Sequence, residues 1–202
     1  EAASTDLLKK ATQAGKVQSR NAALQILLSI KKEDGLKLVL KALHDDSKEY
    51  RNATLTYVSD FVNDRVYIAL IKAMNKAKTD PKVDMLNWLA NQSRNLAERD
   101  NIRKLLIKPR LTAMQVICKQ LNNSNFEVKE AATWALVKLN DPQTLLDLAE
   151  LLKSSDIKVV LLGQQALASF NGDIAPSVVA VLNSASDAGK VACIQLLATR
   201  KS

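Results

Sequence analysis

The run Ala131-Ala132-Thr133-Trp134-Ala135-Leu136-Val137-Lys138-Leu139-Asn140-Asp141-Pro142 decides how this chain folds. Val128, Ala131/Ala132, Ala135/Leu136 and Leu139 fall three and four apart, which is one face of an α-helix. The small residues on that face let another helix approach closely. Asn140-Asp141-Pro142 ends this helix and opens the next, because Asp is a favoured N-cap and Pro is at home in the first helical turn. Leu145, Leu148, Leu151 and Leu152 then mark a second helical stripe. The unit is therefore helix, tight turn, helix.

Working outward, one pattern returns: a basic or polar residue, a small residue three on, an aliphatic residue four beyond. It reads Arg20-Ala23-Leu27, Arg51-Thr54-Val58, Lys129-Ala132-Leu136, Val160-Gly163-Leu167 and Lys190-Cys193-Leu197. The first residues of these sets step by 31, 78, 31 and 30. Leu43, Leu121, Leu152 and Leu182 each lie eight residues before one of them. The 78-residue gap is expected to hold a degenerate copy at Asp84, with Asn87 at the small-residue place, plus an insertion of about a dozen residues. This gives six helix pairs. The first helices fall near 5–14, 34–44, 64–77, 110–122, 142–153 and 174–183. The second helices fall near 17–30, 47–61, 81–92, 126–139, 156–169 and 188–199, with an extra helix near 99–107. No period-two strand is seen. Two short helices cannot bury an apolar face alone, so neighbouring pairs must stack.

With its Asp-Pro turn, Leu-rich first helix, small-residue-rich second helix and Val128-Lys129 entry, the chain resembles HEAT repeats, most of all the bacterial phycobilisome-lyase type. The resemblance spans essentially the whole chain, strongest over 109–202 and weakest over 62–108. It implies an all-α fold, a right-handed α-α superhelix of the HEAT/armadillo-like kind, with a concave face lined by the second helices. It implies one domain over 1–202, with an irregular repeat and insertion near 80–108. It implies little about activity, because such repeats serve scaffolds, adaptors, lyases and nucleic-acid enzymes alike. The chain starts at Glu1 rather than Met and ends without a polar capping helix, as a piece of a longer protein would.

Composition narrows the chemistry. With 47% hydrophobic residues the chain is too apolar for disorder, and it has no apolar run long enough to span a membrane. Cys118 and Cys193 sit among apolar residues at helical spacing and are read as packing groups. They make no disulfide framework, so the compartment stays open between cytoplasm and periplasm. One His and two distant Cys supply no ordinary zinc site, and His44 ends a helix-like run. The five Gly form neither a GxGxxG nor a P-loop. No catalytic constellation, metal site or cofactor is expected.

Helical phase assigns the concave face to Asn21, Gln25, Asn52, Thr56, Met85, Trp88, Glu130, Thr133, Trp134, Leu161, Gln164 and Gln165. Trp is a frequent interface anchor, although both Trp also suit packing between repeats. The net charge of +8 is uneven: residues 1–120 carry +9 and residues 121–202 carry −1. Arg94, Arg99, Arg103, Lys104, Lys108 and Arg110 concentrate the excess at the insertion, where Arg99, Arg103, Lys104 and Lys108 oppose Ile102, Leu105 and Leu106 on an amphipathic basic helix. A solvated outer face explains such a patch, and so does an anionic partner. The expected function is a non-enzymatic scaffold for a protein or peptide. The alternatives are nucleic-acid binding of the HEAT-like DNA glycosylase kind, with Asp84 beside Trp88 in a basic cleft, and a docking domain of a larger enzyme.

Overall fold

The computed structural model describes residues 2–13, 15–30, 32–59, 64–97 and 107–199. Among these residues there is no strand. Twelve α-helices follow in order: α1 Ala2–Ala11, α2 Val17–Ile30, α3 Lys32–Ala42, α4 Lys48–Ser59, α5 Asp64–Lys76, α6 Thr79–Ala97, α7 Ile107–Gln120, α8 Phe126–Leu139, α9 Leu145–Glu150, α10 Ile157–Ser169, α11 Ala175–Leu182 and α12 Asp187–Thr199. The expected run 142–153 is one helical segment with three parts, since 3-10 turns at Pro142–Thr144 and Leu151–Lys153 flank α9. The expected helix at 99–107 lies outside the described residues, apart from its last position.

The boundaries follow from capping chemistry. Asn125 takes an extended conformation before α8 and accepts from the N–H groups of Glu127 at 2.9 Å and Val128 at 3.3 Å. Asp141 accepts from Gln143 N–H at 3.0 Å, and Asp156 accepts from Lys158 N–H at 2.9 Å at the start of α10. Asn140 closes α8 in the left-handed region, at φ 47, where Asn is tolerated. Its side chain then bridges to the next repeat: Nδ2 donates to Asn171 O at 3.1 Å, and Oδ1 accepts from Asn171 N–H at 2.9 Å.

The helices build two layers. The second helices form one, with α2 on α4, α4 on α6, α6 on α8, α8 on α10 and α10 on α12. The first helices form the other, with α3 on α5, α5 on α7 and α9 on α11. Among the described helices α6 makes its most extensive contact with α8, so the second-helix layer is continuous from repeat three to repeat four. One continuous apolar core runs between the layers.

Burial corrects the register of the third repeat. The exposed and buried positions of α6 match those of α4 at an offset of 31 residues, and those of α8 at 47. The third copy is therefore Lys82-Met85-Leu89, not one that starts at Asp84. Its upstream partner is the fully buried Met74, eight residues before Lys82. The buried Thr12 stands in the same relation to Arg20. The steps become 31, 31, 47, 31 and 30, so repeat three is regular and the extra length follows it. Met85 at the small-residue place is what hid it.

Candidate interaction surface

The corrected register sets the side chains of the second-helix layer into columns. One column, five residues beyond the start of each pattern, runs Gln25, Thr56, Asn87, Trp134, Gln165 and Gln195. Five of these are exposed and Trp134 is half-buried. A second column, one residue beyond the start, runs Asn21, Asn52, Val83, Glu130, Leu161 and Val191. Its character changes along the stack, from amides at Asn21 and Asn52 to Leu161 and Val191, which are 47% and 55% exposed. Polar bridges tie neighbouring helices across this face. Lys138 Nζ donates to Asn91 Oδ1 at 3.1 Å, and Gln164 Nε2 donates to Gln195 Oε1 at 2.7 Å.

Of the residues expected on this face, Gln25, Asn52, Thr56, Glu130, Leu161 and Gln165 are exposed, and Asn21, Trp134 and Gln164 are half-buried. Met85, Trp88 and Thr133 do not belong to it. Met85 is buried because it occupies the inward small-residue place. Trp88 is 7% exposed and packs between second helices, where its Nε1–H donates to Ser59 Oγ on α4 at 2.9 Å. Thr133 is buried, with its hydroxyl donating to Lys129 O at 2.8 Å within its own helix. Asn87, Asn91, Lys138, Val191 and Gln195 take their place. The period of 31 residues, carried one step beyond Arg51, would have found the first two.

The carboxylate–aromatic pair considered for a glycosylase-like site is also structural. Asp84 is 9% exposed, and its Oδ2 accepts from Arg51 Nε at 2.7 Å. Arg51 also donates to the carbonyls of Asp45 and Asp46 at 2.8 and 3.0 Å. A carboxylate spent on a buried guanidinium is not presented to a substrate. Arg20 makes the preceding stitch, with Nη1 donating to Asp45 Oδ2 at 2.6 Å and its guanidinium 4.4 Å above the Tyr50 ring. Tyr50 in turn donates to Thr12 O at 3.0 Å.

Arg99, Arg103 and Lys104 lie outside the described residues, as do the side chains of Arg94, Lys108 and Arg110. Among the described residues no group of three or more His, Cys, Asp or Glu is placed to hold a metal ion. No described helix is long and apolar enough to cross a membrane. His44 is exposed in the turn after α3. Cys193 is buried. Cys118 is half-buried at a cleft of about 390 Å³ that Lys129 and Asp147 also line. Burial, then a hydrogen bond to the Asp147 carboxylate, pushes its thiol pKa up to about 12. Such a thiol is protonated at neutral pH and is a poor nucleophile.

Paired helices stacked at a constant register, with two unmixed layers and one core, settle the architecture. The chain is a HEAT/armadillo-like repeat solenoid. No family model matches it, and no curated protein matches it. Solved structures do. An engineered protein from a structural genomics consortium is 19% identical, with 98% of this chain and 90% of that one covered, at a TM-score of 0.50. A designed armadillo repeat protein in complex with the peptide (KR)4 is 18% identical over 95% of this solenoid and 97% of its own chain, at a TM-score of 0.48. The complex of CpcE and CpcF of phycocyanin lyase from Nostoc sp. PCC7120 is 15% identical over 96% and 94%, at a TM-score of 0.32. At these identities the likeness is one of fold.

Proposed function

We propose that this solenoid is a non-enzymatic scaffold that holds a peptide or an extended protein segment along the exposed face of its second helices. The observation that carries this reading is the column Gln25, Thr56, Asn87, Trp134, Gln165 and Gln195. Five of its six members present a side chain that both donates and accepts hydrogen bonds. A peptide main chain needs both along its whole length. Adjacent packed helices stand about 8–10 Å apart, close to two or three residues of extended chain at about 3.3 Å each. Trp134 supplies a large amphipathic surface in mid-column, and Leu161 and Val191 on the two following second helices offer apolar contact for side chains.

The test is selection of phage-displayed 12-residue peptides on the full chain, followed by affinity measurement on Trp134→Ala and Gln165→Ala. Loss of a flat aromatic anchor costs about 2 kcal/mol or more at an interface hot spot, so Trp134→Ala is expected to weaken selected peptides more than tenfold. Failure to enrich peptides, or selected peptides that bind Trp134→Ala as tightly as the unsubstituted chain, removes this reading.

A further inference from the structure

The other layer carries a pattern of a different kind. Two residues before each register residue (Thr12, Leu43, Met74, Leu121 and Leu152, all buried, and the half-buried Leu182) stand Lys10, Lys41, Lys72, Lys119, Glu150 and Ala180. All six are exposed. The first four are lysines at one equivalent position on the successive first helices α1, α3, α5 and α7. Lys37 on α3 and Lys76 on α5 lie one turn to either side and are exposed too. None of these six lysines forms an ion pair with a described carboxylate, whereas Lys9, Lys153 and Lys190 each pair with an acid three residues before them.

A solvated helix face ordinarily interleaves the two signs of charge, because opposite charges three or four apart stabilise a helix and like charges destabilise it by a similar few tenths of a kcal/mol. Here Lys37 and Lys41, and Lys72 and Lys76, are like charges four apart. The fold does not demand lysine at this place, since the fifth and sixth helices use Glu150 and Ala180. We propose that this column is a binding site for a linear polyanion, the phosphate backbone of double-stranded nucleic acid. Lys41, Lys72 and Lys119 lie on α3, α5 and α7, which pack one on the next; at about 8–10 Å between axes they span roughly 20 Å, about six base pairs at about 3.4 Å each, and Lys10 holds the equivalent place on α1. The exposed neighbours of the lysines on these helices include Leu7, Asn75 and Gln115, with no aromatic group among the described side chains. A membrane-surface helix pairs its basic face with a continuous apolar one; here the exposed Leu7 lies one turn from Lys10 on α1, while Leu146 and Val179 sit at the other end of the layer, so the large exposed apolar side chains form no stripe along the lysines. Lysines are point charges without base-reading geometry, so recognition is of backbone and independent of sequence.

The experiment is fluorescence anisotropy of a labelled 20-base-pair duplex with the full chain across a salt series. Four phosphate contacts predict a log–log slope near −3.6, which is roughly a hundredfold loss of affinity between 50 and 200 mM salt. The triple variant Lys41→Gln, Lys72→Gln, Lys119→Gln is expected to keep its helical circular dichroism and to lose about three from that slope. Lys138→Gln with Lys158→Gln, on the second-helix layer, is expected to leave the slope unchanged. The proposal falls if the wild-type chain does not bind duplex at 50 mM salt. It falls if the triple variant keeps the full slope, or if replacing Arg99, Arg103, Lys104 and Lys108 by Gln abolishes binding while the column variant does not. Phosphatidylserine vesicles bound in the absence of duplex binding would assign a membrane instead. Polyglutamate that displaces duplex at a lower charge concentration would assign an acidic protein. These outcomes do not bear on peptide binding, which uses the opposite layer.

Discussion

The first two repeats and the last two solve the same packing problem with different chemistry. The residue before the start is Ser19 in the first repeat, and from the second repeat on it is Tyr50, Pro81, Val128, Val159 and Gly189, from the largest side chain to none. In repeats one and two the starts are Arg20 and Arg51, whose guanidinium groups reach into the next repeat: Arg20 to Asp45 and the Tyr50 ring, Arg51 to Asp84. In repeat five the start is the buried Val160, and in repeats five and six glycines bring the helices into close contact. A Cβ on Gly189 would lie 1.9 Å from Leu152 O, and one on Gly163 would lie 2.8 Å from Leu151 Cβ. The interaxial distance depends on the side chains at the contact. Where those side chains are large, polar arms fill and tie the gap. Where they are missing, the helices touch and the gap does not exist.

The largest test of this contrast is Arg51→Ala. It leaves Asp84 buried without its cation and takes a donor from two carbonyls, Asp45 and Asp46. Breaking a buried pair from one side costs about 3–5 kcal/mol, and urea unfolding followed by circular dichroism is expected to show a loss of that size. A loss below about 1 kcal/mol would mean that apolar contacts alone close the N-terminal repeats. The matching test at the other end is Gly189→Ala. A helical Gly→Ala change ordinarily gains about 1 kcal/mol. Here the methyl group meets the backbone oxygen of Leu152, which cannot rotate away, so a net loss of about 2–3 kcal/mol is expected. Gly163→Ala meets side-chain carbon instead and is expected to cost less. Equal tolerance of both substitutions would break the distinction between the two ends.

How much of this was legible in the sequence depends on which residues carried the signal. Helical phase and cap residues gave the helix pairs to within a few positions, because Asn125, Asp141 and Asp156 cap locally and need no tertiary context. The exposed face was legible where the repeat is regular, as at Asn52, Glu130, Leu161 and Gln165. It failed at Thr133 on α8, which is buried, and throughout α6, where Met85 stands in a place that is small elsewhere and drew the reading two residues off, to Asp84. That slip of about 200° turned Trp88 outward on paper, while in the molecule it packs inward. The lysine column was in the sequence as well, but four lysines spread over 110 residues become a pattern only when the first helices are known to stack in one layer.

Repeat four offers a test with no substitution. Cys118 holds its proton more tightly when folded, chiefly through burial and next through Asp147. An acid with a pKa raised on folding stabilises the native state fully below its unfolded pKa, and that contribution is lost as pH rises towards the folded value. Stability is therefore expected to fall between about pH 9 and the native thiol pKa of about 12. At pH 8 the folded chain is expected to react with iodoacetamide at Cys118 far more slowly than the urea-unfolded chain. Equal rates would show that this junction is open to water and not part of the tightly packed end.

The smallest expected effect falls at the boundary between the two packing styles. Trp88 occupies the place that Ala135 and Ala166 fill in repeats four and five, and Tyr57 in repeat two. It is the last large side chain before the small-residue packing begins, and it still uses a polar tip, the bond from Nε1 to Ser59 Oγ at 2.9 Å. Trp88→Phe keeps most of the aromatic volume and removes that donor. Ser59 stays hydrogen-bonded through its own hydroxyl, which donates to Leu55 O at 3.1 Å, so no buried donor is orphaned. The expected cost is about 1 kcal/mol, read by urea unfolding. Trp88→Ala, by contrast, leaves a cavity and is expected to cost about 3–5 kcal/mol. If Trp88→Phe costs as much as Trp88→Ala, the hydrogen bond outweighs the packing, and repeat three belongs with the polar-stitched end. If it costs nothing, volume alone matters there, and the change from polar stitching to close packing lies between Arg51 and Trp88.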